Sequence, residues 1–245
     1  MFSLSDEDLR YYELKVTRGP RQMTAMAEHE ELEEGFSLSV LDTGSGAKMA
    51  DKILCACGER FLQKKIFSSI FLTGKGFART DWAPEFMKQI CNRRRVFVET
   101  ALFAKGAAMK AEEYLNESDS PSFVCLCEGK LWSTVSMEVM KRDAKSELVL
   151  ASAGESWYEA RSVVEVIPDG EREITFTITP QQEPKKKRTV KIPLEGFPDR
   201  PNKTTKIRVA VGFLDEKTMV VKLTDQGFGE LFPKTDAVVR QEVTL

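Results

Sequence analysis

IFLTGKGFARTDWAPEFMKQICNRRRVFVETALFAKGAAMKA, residues 70–111, is the stretch that decides the fold. It begins inside an apolar run rich in β-branched and aromatic residues, Ile66–Thr73, which is typical of a buried strand. The run ends at Gly74-Lys75-Gly76, a turn signal. A helix is predicted from about Pro84 to Asn92, because proline suits the first turn of a helix.

The same succession of elements continues on both sides of this turn. A second strand, Arg94–Val98, leads into a second helix, Phe103–Leu115. Before the turn, apolar residues at three- and four-residue spacing predict an amphipathic helix over Ala47–Leu62. Strands that alternate with helices predict parallel strands with covering helices, and so an α/β domain.

The N-terminal region gives weaker patterns. Alternation around Tyr11 predicts a strand that ends near Gly19-Pro20. Residues 24–34 are acidic and compatible with a helix, and Phe36–Leu41 alternates like a strand.

The polar segment 116–122 predicts a boundary between two domains, 1–118 and 119–245. Beyond it the hydrophobic period changes to two, which predicts an antiparallel β-sandwich or barrel. The strand candidates are Phe123–Cys127, Leu131–Met137, Leu148–Ala151, Ser162–Val166, Glu173–Thr179, Thr189–Leu194, Lys206–Phe213 and Thr218–Thr224. The whole chain is therefore predicted to be an α+β protein of two domains.

Composition excludes several function classes. The 245 residues carry a formal net charge of −2, without the clustered basic surface that nucleic-acid binding needs. No apolar run approaches the roughly 20 residues of a membrane helix, and the first residues lack a signal peptide, so we expect a cytoplasmic protein without membrane contact. The five cysteines and the single His29 lack zinc-ligand spacing, so no metal site is predicted.

Three short segments are candidates for binding. Gly74-Lys75-Gly76 either contacts a nucleotide or is a simple tight turn; Arg79 stands where a dinucleotide-binding motif needs its third glycine. Pro184–Arg188 is interpreted as a charged hairpin loop rather than a nucleic-acid patch. In Gly227–Pro233, Phe228 and Phe232 either pack on the β domain or line an exposed peptide-binding groove. No catalytic residues are identified, because no Ser lies in a nucleophile elbow and His29 has no evident partner.

Two motifs in residues 70–111 resemble the second lobe of the actin and DnaK-type ATPase superfamily. They are Leu72-Thr73-Gly74-Lys75-Gly76-Phe77, which corresponds to the turn beside the adenosine, and Ala104-Lys105-Gly106-Ala107-Ala108, which corresponds to the small-residue interlobe helix. Leu194–Pro201 followed by Lys206–Phe213 resembles the late strands of the DnaK substrate-binding β domain. With Leu9–Leu14 and Asp225–Pro233, the chain looks most like a bacterial family of DnaK-like proteins.

The resemblance implies a ribonuclease-H-like lobe followed by a β-sandwich, and a chaperone-related binding module with a protein or peptide partner. It implies nucleotide contact at Gly74, Lys75, Gly76 and Phe77, and an interlobe role for Gly106, Ala107 and Ala108. The chain departs from the family, because it has no first ATPase lobe and Ser5–Tyr11 lacks the glycines of a phosphate loop.

We therefore expect no ATP hydrolysis by the chain alone, and ATP or ADP with Mg²⁺ only with a complementing lobe. The alternative is a degenerate lobe that binds no nucleotide and acts as a structural or protein-interaction protein.

Overall fold

A computed structural model describes residues 1–6, 8–18, 23–115, 123–170 and 172–245, apart from the side chains at 113 and 114. The contacts divide the chain into two compact units. The first unit contains 1–14 and 27–121, and the second contains 15–26 and 122–245. No helix among the described residues is long and apolar enough to cross a membrane.

The first unit is built on a mixed β-sheet with three helices. Its elements are β1 (Phe2–Ser5), β2 (Asp8–Arg18), β3 (Met23–Glu31), α1 (Gly44–Leu62), β4 (Ser69–Thr73), α2 (Pro84–Cys91), β5 (Arg95–Val98) and α3 (Leu102–Leu115). The strand order is β5-β4-β1-β2-β3. β1 is antiparallel to β2 and parallel to β4, and β4 is parallel to β5. The outer parts of β2 and β3 belong to the second unit, where Met23–Met26 pair in parallel with β6 (Phe123–Leu126).

One face of the sheet in the first unit is covered by α1 and α2. Phe2, Leu4, Leu9, Ile70 and Leu72 are buried in a single core together with apolar residues of both helices. Burial of each such side chain stabilises the fold by roughly 1.5–3 kcal/mol.

The two covering helices are joined by a buried carboxylate. Asp51 on α1 accepts hydrogen bonds from the backbone N–H groups of Glu85 and Phe86, at 3.0 and 2.9 Å. These N–H groups lie in the first turn of α2, where no partner exists within the helix. Asp51 therefore caps α2 from a neighbouring element.

The opposite face of this sheet is more open. The register pairs Phe71 with Phe97, and their rings stack at 5.1 Å between centroids. Tyr12 on β2 contacts the ring of Phe103 at 5.5 Å, which brings α3 to this face. None of the α3 residues whose side chains are described is buried.

The second unit contains an antiparallel β-sandwich. Its strands are β7 (Ser133–Lys141), β8 (Ala144–Ala151), β9 (Ser162–Val166), β10 (Glu173–Pro180), β11 (Arg188–Pro193), β12 (Lys206–Phe213), β13 (Thr218–Gly227) and β14 (Val238–Thr244). They form two four-stranded sheets, β11-β10-β7-β8 and β14-β13-β12-β9. Alternate residues of both sheets share one core, with Phe176 and Val209 fully buried at its centre. This confirms the predicted α+β class.

The structure corrects several sequence predictions. Within residues 24–34, predicted to be compatible with a helix, the part up to Glu31 belongs to β3. Phe36–Leu41, predicted as a strand, begins as a loop and continues into a short 3-10 helix, Leu38–Asp42. Strands β1 and β14 were not predicted. The strand predicted at 123–127 pairs with β3 rather than with either sandwich sheet. The predicted linker, 116–122, lies outside the described residues.

Candidate functional site

The turn after β4 is shaped by its contact with β1. Gly74 has φ +93° and ψ 167°, a conformation that is essentially restricted to glycine. A Cβ atom on Gly74 would overlap the carbonyl oxygen of Leu4, and one on Gly76 would collide with the Leu4 side chain. Both glycines are therefore required by packing within the first unit, whether or not a ligand approaches them.

A surface groove of about 290 Å³ lies at this turn, at the carboxyl end of β4. Two segments form its walls, the short helix before α1 and the stretch between β4 and α2. The lining residues are Leu38, Leu41, Asp42, Lys75, Gly76, Ala78, Arg79, Asp81 and Trp82. The groove thus combines apolar side chains with charges of both signs.

Trp82 gives the groove a fixed wall. Its indole N–H donates to the carbonyl oxygen of Gly76 at 3.0 Å, and its ring meets the edge of Phe36. Phe77 stacks near Trp82 on the inner side, with ring centroids 6.2 Å apart, and is only 1% exposed. Phe77 therefore supports the turn from the core, and its ring does not line the groove.

The charged groups of the groove are exposed, and three of them, Lys75, Arg79 and Asp81, take part in ion pairs. Arg79 holds Asp81 with two hydrogen bonds, at 3.2 and 2.7 Å, and these bonds lower the pKa of Asp81. The Lys75 Nζ atom lies 3.7 Å from a carboxylate oxygen of Asp6. Exposed pairs of this kind contribute little to stability, so either cation can be redirected to an anionic ligand at small cost.

The predicted interlobe residues lie in the middle of α3. Gly106, Ala107 and Ala108 are exposed, and a Cβ atom on Gly106 would meet nothing within 4 Å. No α3 residue is among those that line the groove in the described part of the chain. Packing within the first unit therefore does not explain these small residues.

The segment after β13 forms a narrow loop. Phe228 and Phe232 face each other as an isolated antiparallel bridge, in which the Phe228 N–H donates to the Phe232 carbonyl oxygen at 2.6 Å. Phe228 is 42% exposed, and Phe232 is half-buried. Leu231 at the tip is 87% exposed, which sequence reasoning missed. An apolar residue next to Phe232 is expected to be buried, so the sequence gives no sign that Leu231 is exposed.

A buried ion pair holds this loop at its base. Arg200 donates to both carboxylate oxygens of Asp225 at 2.8 Å, and also to the Pro233 carbonyl oxygen at 2.7 Å. Asp225 further accepts from the Gly227 N–H and from the N–H and hydroxyl of Thr235. Burial alone would raise the pKa of Asp225, but the hydrogen bonds from Arg200, Gly227 and Thr235 outweigh it and hold that pKa well below its ordinary value.

The potential metal ligands do not assemble in the described part of the chain. No group of three or more His, Cys, Asp or Glu side chains is arranged to hold a metal ion there. Burial raises the pKa of the Cys57 thiol to about 11, so this cysteine behaves as an apolar core residue.

These features define an α+β protein with a mixed-sheet unit, a groove beside its glycine turn, and an antiparallel β-sandwich. Residues 1–128, more than half of the chain, match the family model described as Family of unknown function (DUF5716) C-terminal. The chain belongs to this family. Residues 130–245 match a second model, Domain of unknown function (DUF8552). A comparison with curated proteins found no match.

Proposed function

We propose that the chain is a DnaK-like, chaperone-related binding module without ATPase activity of its own. In this proposal the first unit is a ribonuclease-H-like lobe of the actin-ATPase type. The support is its strand order, in which an antiparallel β1-β2-β3 meander is extended by β4 and β5, both parallel to β1. The helices α1 and α2 are the crossovers that such a lobe requires.

The position of the groove is the observation that supports a nucleotide site. Ligands of α/β sheets bind outside the carboxyl ends of parallel strands, and the groove opens where β4 ends. Trp82 and Leu38 offer an apolar surface to a base, and Lys75 and Arg79 offer cations to phosphate. Gly76 lines the groove directly, Gly74 forms the turn, and Phe77 contributes from the core. We expect a Kd below about 1 mM, which corresponds to a binding free energy more favourable than about −4 kcal/mol.

Calorimetric titration of the full chain with ADP and with ATP, each with Mg²⁺, tests this site. Replacing both Lys75 and Arg79 with Ala is expected to weaken binding several-fold. Lys145→Ala, which removes an exposed lysine paired with Glu138 in the sandwich, is the matched control and leaves binding unchanged. A Kd of about 1 mM or weaker contradicts the nucleotide site.

One observation favours the alternative, a degenerate lobe that serves as a protein-interaction unit without nucleotide. The glycines of the turn are already explained by their contact with Leu4, and Phe77 by its burial. In that case the exposed α3, on which the Met109 side chain is 71% exposed, is the surface on which a complementing ATPase lobe or another protein docks. A null nucleotide titration with intact partner binding selects this alternative.

The sandwich is proposed to contact its protein or peptide partner through the loop that contains Phe228 and Phe232. Its support is the exposed Leu231 beside them, held outward by the ion pair of Arg200 with Asp225. Leu231→Asp is expected to abolish binding to apolar sequences on a peptide array. Leu214→Asp, at another exposed turn, is the control that retains binding. An array on which Leu231→Asp and the wild-type chain bind the same peptides equally contradicts this role.

A further inference from the structure

The strand β5 forms an open edge of the sheet in the first unit. It is the last strand in the order, and β4 is its one pairing partner in the described part of the chain. Phe97 is 45% exposed and Val98 is 47% exposed, so apolar side chains of this edge reach solvent. An exposed edge with apolar side chains can pair with a further strand.

The direction of the backbone groups on β5 follows from one hydrogen bond. The Glu99 N–H donates to the Leu72 carbonyl oxygen on β4, at 2.9 Å. Backbone groups alternate in direction along a strand, so those of Phe97 also point to β4. The N–H and C=O groups of Val96 and Val98 therefore point to the open edge.

Both faces of the sheet end in an apolar side chain at this edge. Val96 packs against the core that α1 and α2 cover, and Val98 shares its face by alternation. Phe97 lies on the opposite face, where its ring stacks on that of Phe71. A strand added to β5 would thus meet apolar neighbours on either face.

The two ends of the edge carry opposite charges. Arg95 at the amino end is exposed and, among the described residues, takes part in no ion pair or side-chain hydrogen bond. Glu99 at the carboxyl end accepts hydrogen bonds from Lys105 and from the Ala101 N–H, and these bonds, above all that from Lys105, lower the pKa of Glu99. A carboxylate has acceptor positions for a further partner.

We propose that two copies of the chain form a symmetric dimer in which their β5 edges pair antiparallel, with Phe97 of one copy opposite Phe97 of the other. The sequence R-V-F-V-E is self-complementary in this register. Arg95 faces Glu99 and Val96 faces Val98 on both sides of the two-fold axis, and Val96 and Val98 exchange their outward hydrogen bonds. Opposite charges, aromatic pairs and β-branched pairs are combinations that stabilise an antiparallel ladder.

Other registers are less favourable. A shift by one residue would place the outward groups of Val96 opposite Phe97, whose own groups are bonded to β4. A shift by two residues would place Phe97 opposite Arg95 or Glu99, and both the aromatic pair and the charge pairs would be lost. In the proposed register the arginines at 93–95 of the two copies lie at opposite ends of the ladder. Because five residues a side make a small interface, the dimer is weak and reversible.

Sedimentation velocity of the full chain tests the proposal. The weight-average mass is expected to rise with protein concentration and to level off at twice the mass of one chain, because a two-fold contact is closed. Val98→Pro removes an N–H that points to the open edge and leaves the hydrogen bonds to β4, so the fold is kept and the dimer is lost. Val98→Thr keeps this N–H and the branched shape, and as the matched control it still dimerises.

Charge reversal tests the register. Arg95→Glu places two carboxylates opposite each other at both ends of the ladder and is expected to weaken the dimer roughly tenfold. Glu99→Arg does the same with two arginines. An equimolar mixture of the two variants regains association, because every charge then faces its opposite. Lys145→Glu, which reverses an exposed charge in the sandwich, is the control that leaves the dimer unchanged.

Three results overturn the proposal, once far-UV circular dichroism has established that each variant is folded. They are a wild-type chain that stays monomeric up to about 1 mM, a dimer that survives Val98→Pro, and charge variants whose mixture associates no better than either alone. Glu99→Arg also removes a contact with Lys105. If that variant does not fold, a dimer unaffected by Arg95→Glu contradicts the register.

Discussion

Asp225 and Arg200 form a buried ion pair in the sandwich, and Asp225 also accepts hydrogen bonds from Gly227 and Thr235. The Arg200 side chain is 6% exposed, and that of Asp225 is inaccessible. A buried charge that loses its partner is strongly destabilising, because nothing then offsets its desolvation.

Arg200→Ala is therefore expected to lower the free energy of unfolding by about 3–5 kcal/mol, measured by urea denaturation. Lys145→Ala, which breaks an exposed pair with Glu138, serves as the control and changes it by less than about 1 kcal/mol. Equal effects of the two substitutions contradict the buried role of Arg200.

The same cluster predicts a pH dependence. The pKa of Asp225 in the folded chain is held below its unfolded value of about 3.9, so the folded state favours the carboxylate. The stabilisation is fully present above roughly pH 4–5 and is lost as the pH falls towards the folded pKa. Urea denaturation between roughly pH 5 and pH 2 is expected to show a shallower loss for Asp225→Asn than for the wild-type chain. If the free energy of unfolding falls with pH equally in the Asp225→Asn and wild-type chains, the lowered pKa of Asp225 is refuted.

Two glycines of the first unit give opposite predictions for one substitution. Gly74→Ala places a Cβ atom against the Leu4 carbonyl oxygen and forces alanine into a backbone conformation that is essentially restricted to glycine. The backbone strain alone is expected to lower the free energy of unfolding by about 1–3 kcal/mol. Gly106→Ala adds a methyl group in open space within α3 and is expected to stabilise by about 0.5–1 kcal/mol. Chemical denaturation of both variants provides the measurement, and a neutral Gly74→Ala rules out the described turn.

At the scale of the element, the helix α2 depends on a residue of α1. Asp51→Ala leaves the N–H groups of Glu85 and Phe86 without their acceptor, at a cost of about 1–2 kcal/mol. Hydrogen exchange of these two amides is expected to accelerate, whereas exchange at Leu54 in α1 changes little. Unchanged protection at Phe86 contradicts the cap.

Elements with a strong local period could be predicted, and those decided by distant pairing could not. The amphipathic α1 and the alternating strands β9 and β12 were predicted, the two strands with their observed bounds. β3 was not, because its glutamates favour a helix in isolation, whereas pairing with β2 on one side and β6 on the other imposes a strand. Tertiary contact overrode propensity there.

In the candidate sites, too, the local features could be predicted from the sequence and the features that depend on distant residues could not. The glycine turn after β4 is a local signal, and its position at a strand end follows from the pattern. The groove needs the short helix Leu38–Asp42, whose first four residues were predicted as part of a strand, Phe36–Leu41. The clamp of Arg200 on Asp225 joins residues 25 positions apart that no periodicity relates, so only the structure could reveal it.

At the scale of the whole molecule, the described residues form two main cores that share no buried residue. One core contains Phe2, Phe86 and their neighbours in the first unit, and the other contains Phe176 and Val209 in the sandwich. Cooperative unfolding is set by contacts within a core. Calorimetry of the full chain is therefore expected to resolve two transitions.

The two destabilising variants assign these transitions. Arg200→Ala removes a contact of the sandwich and is expected to lower only its transition, by roughly 10 °C, while Gly74→Ala lowers only the transition of the first unit. A single transition that both variants shift equally means that the units unfold together. In that case the strands β2 and β3, whose residues are divided between the two units, couple them. A variant with both substitutions separates independent from coupled unfolding. If the units unfold independently, two transitions are each lowered in temperature; if they are coupled, one transition is lowered by the sum of the two shifts.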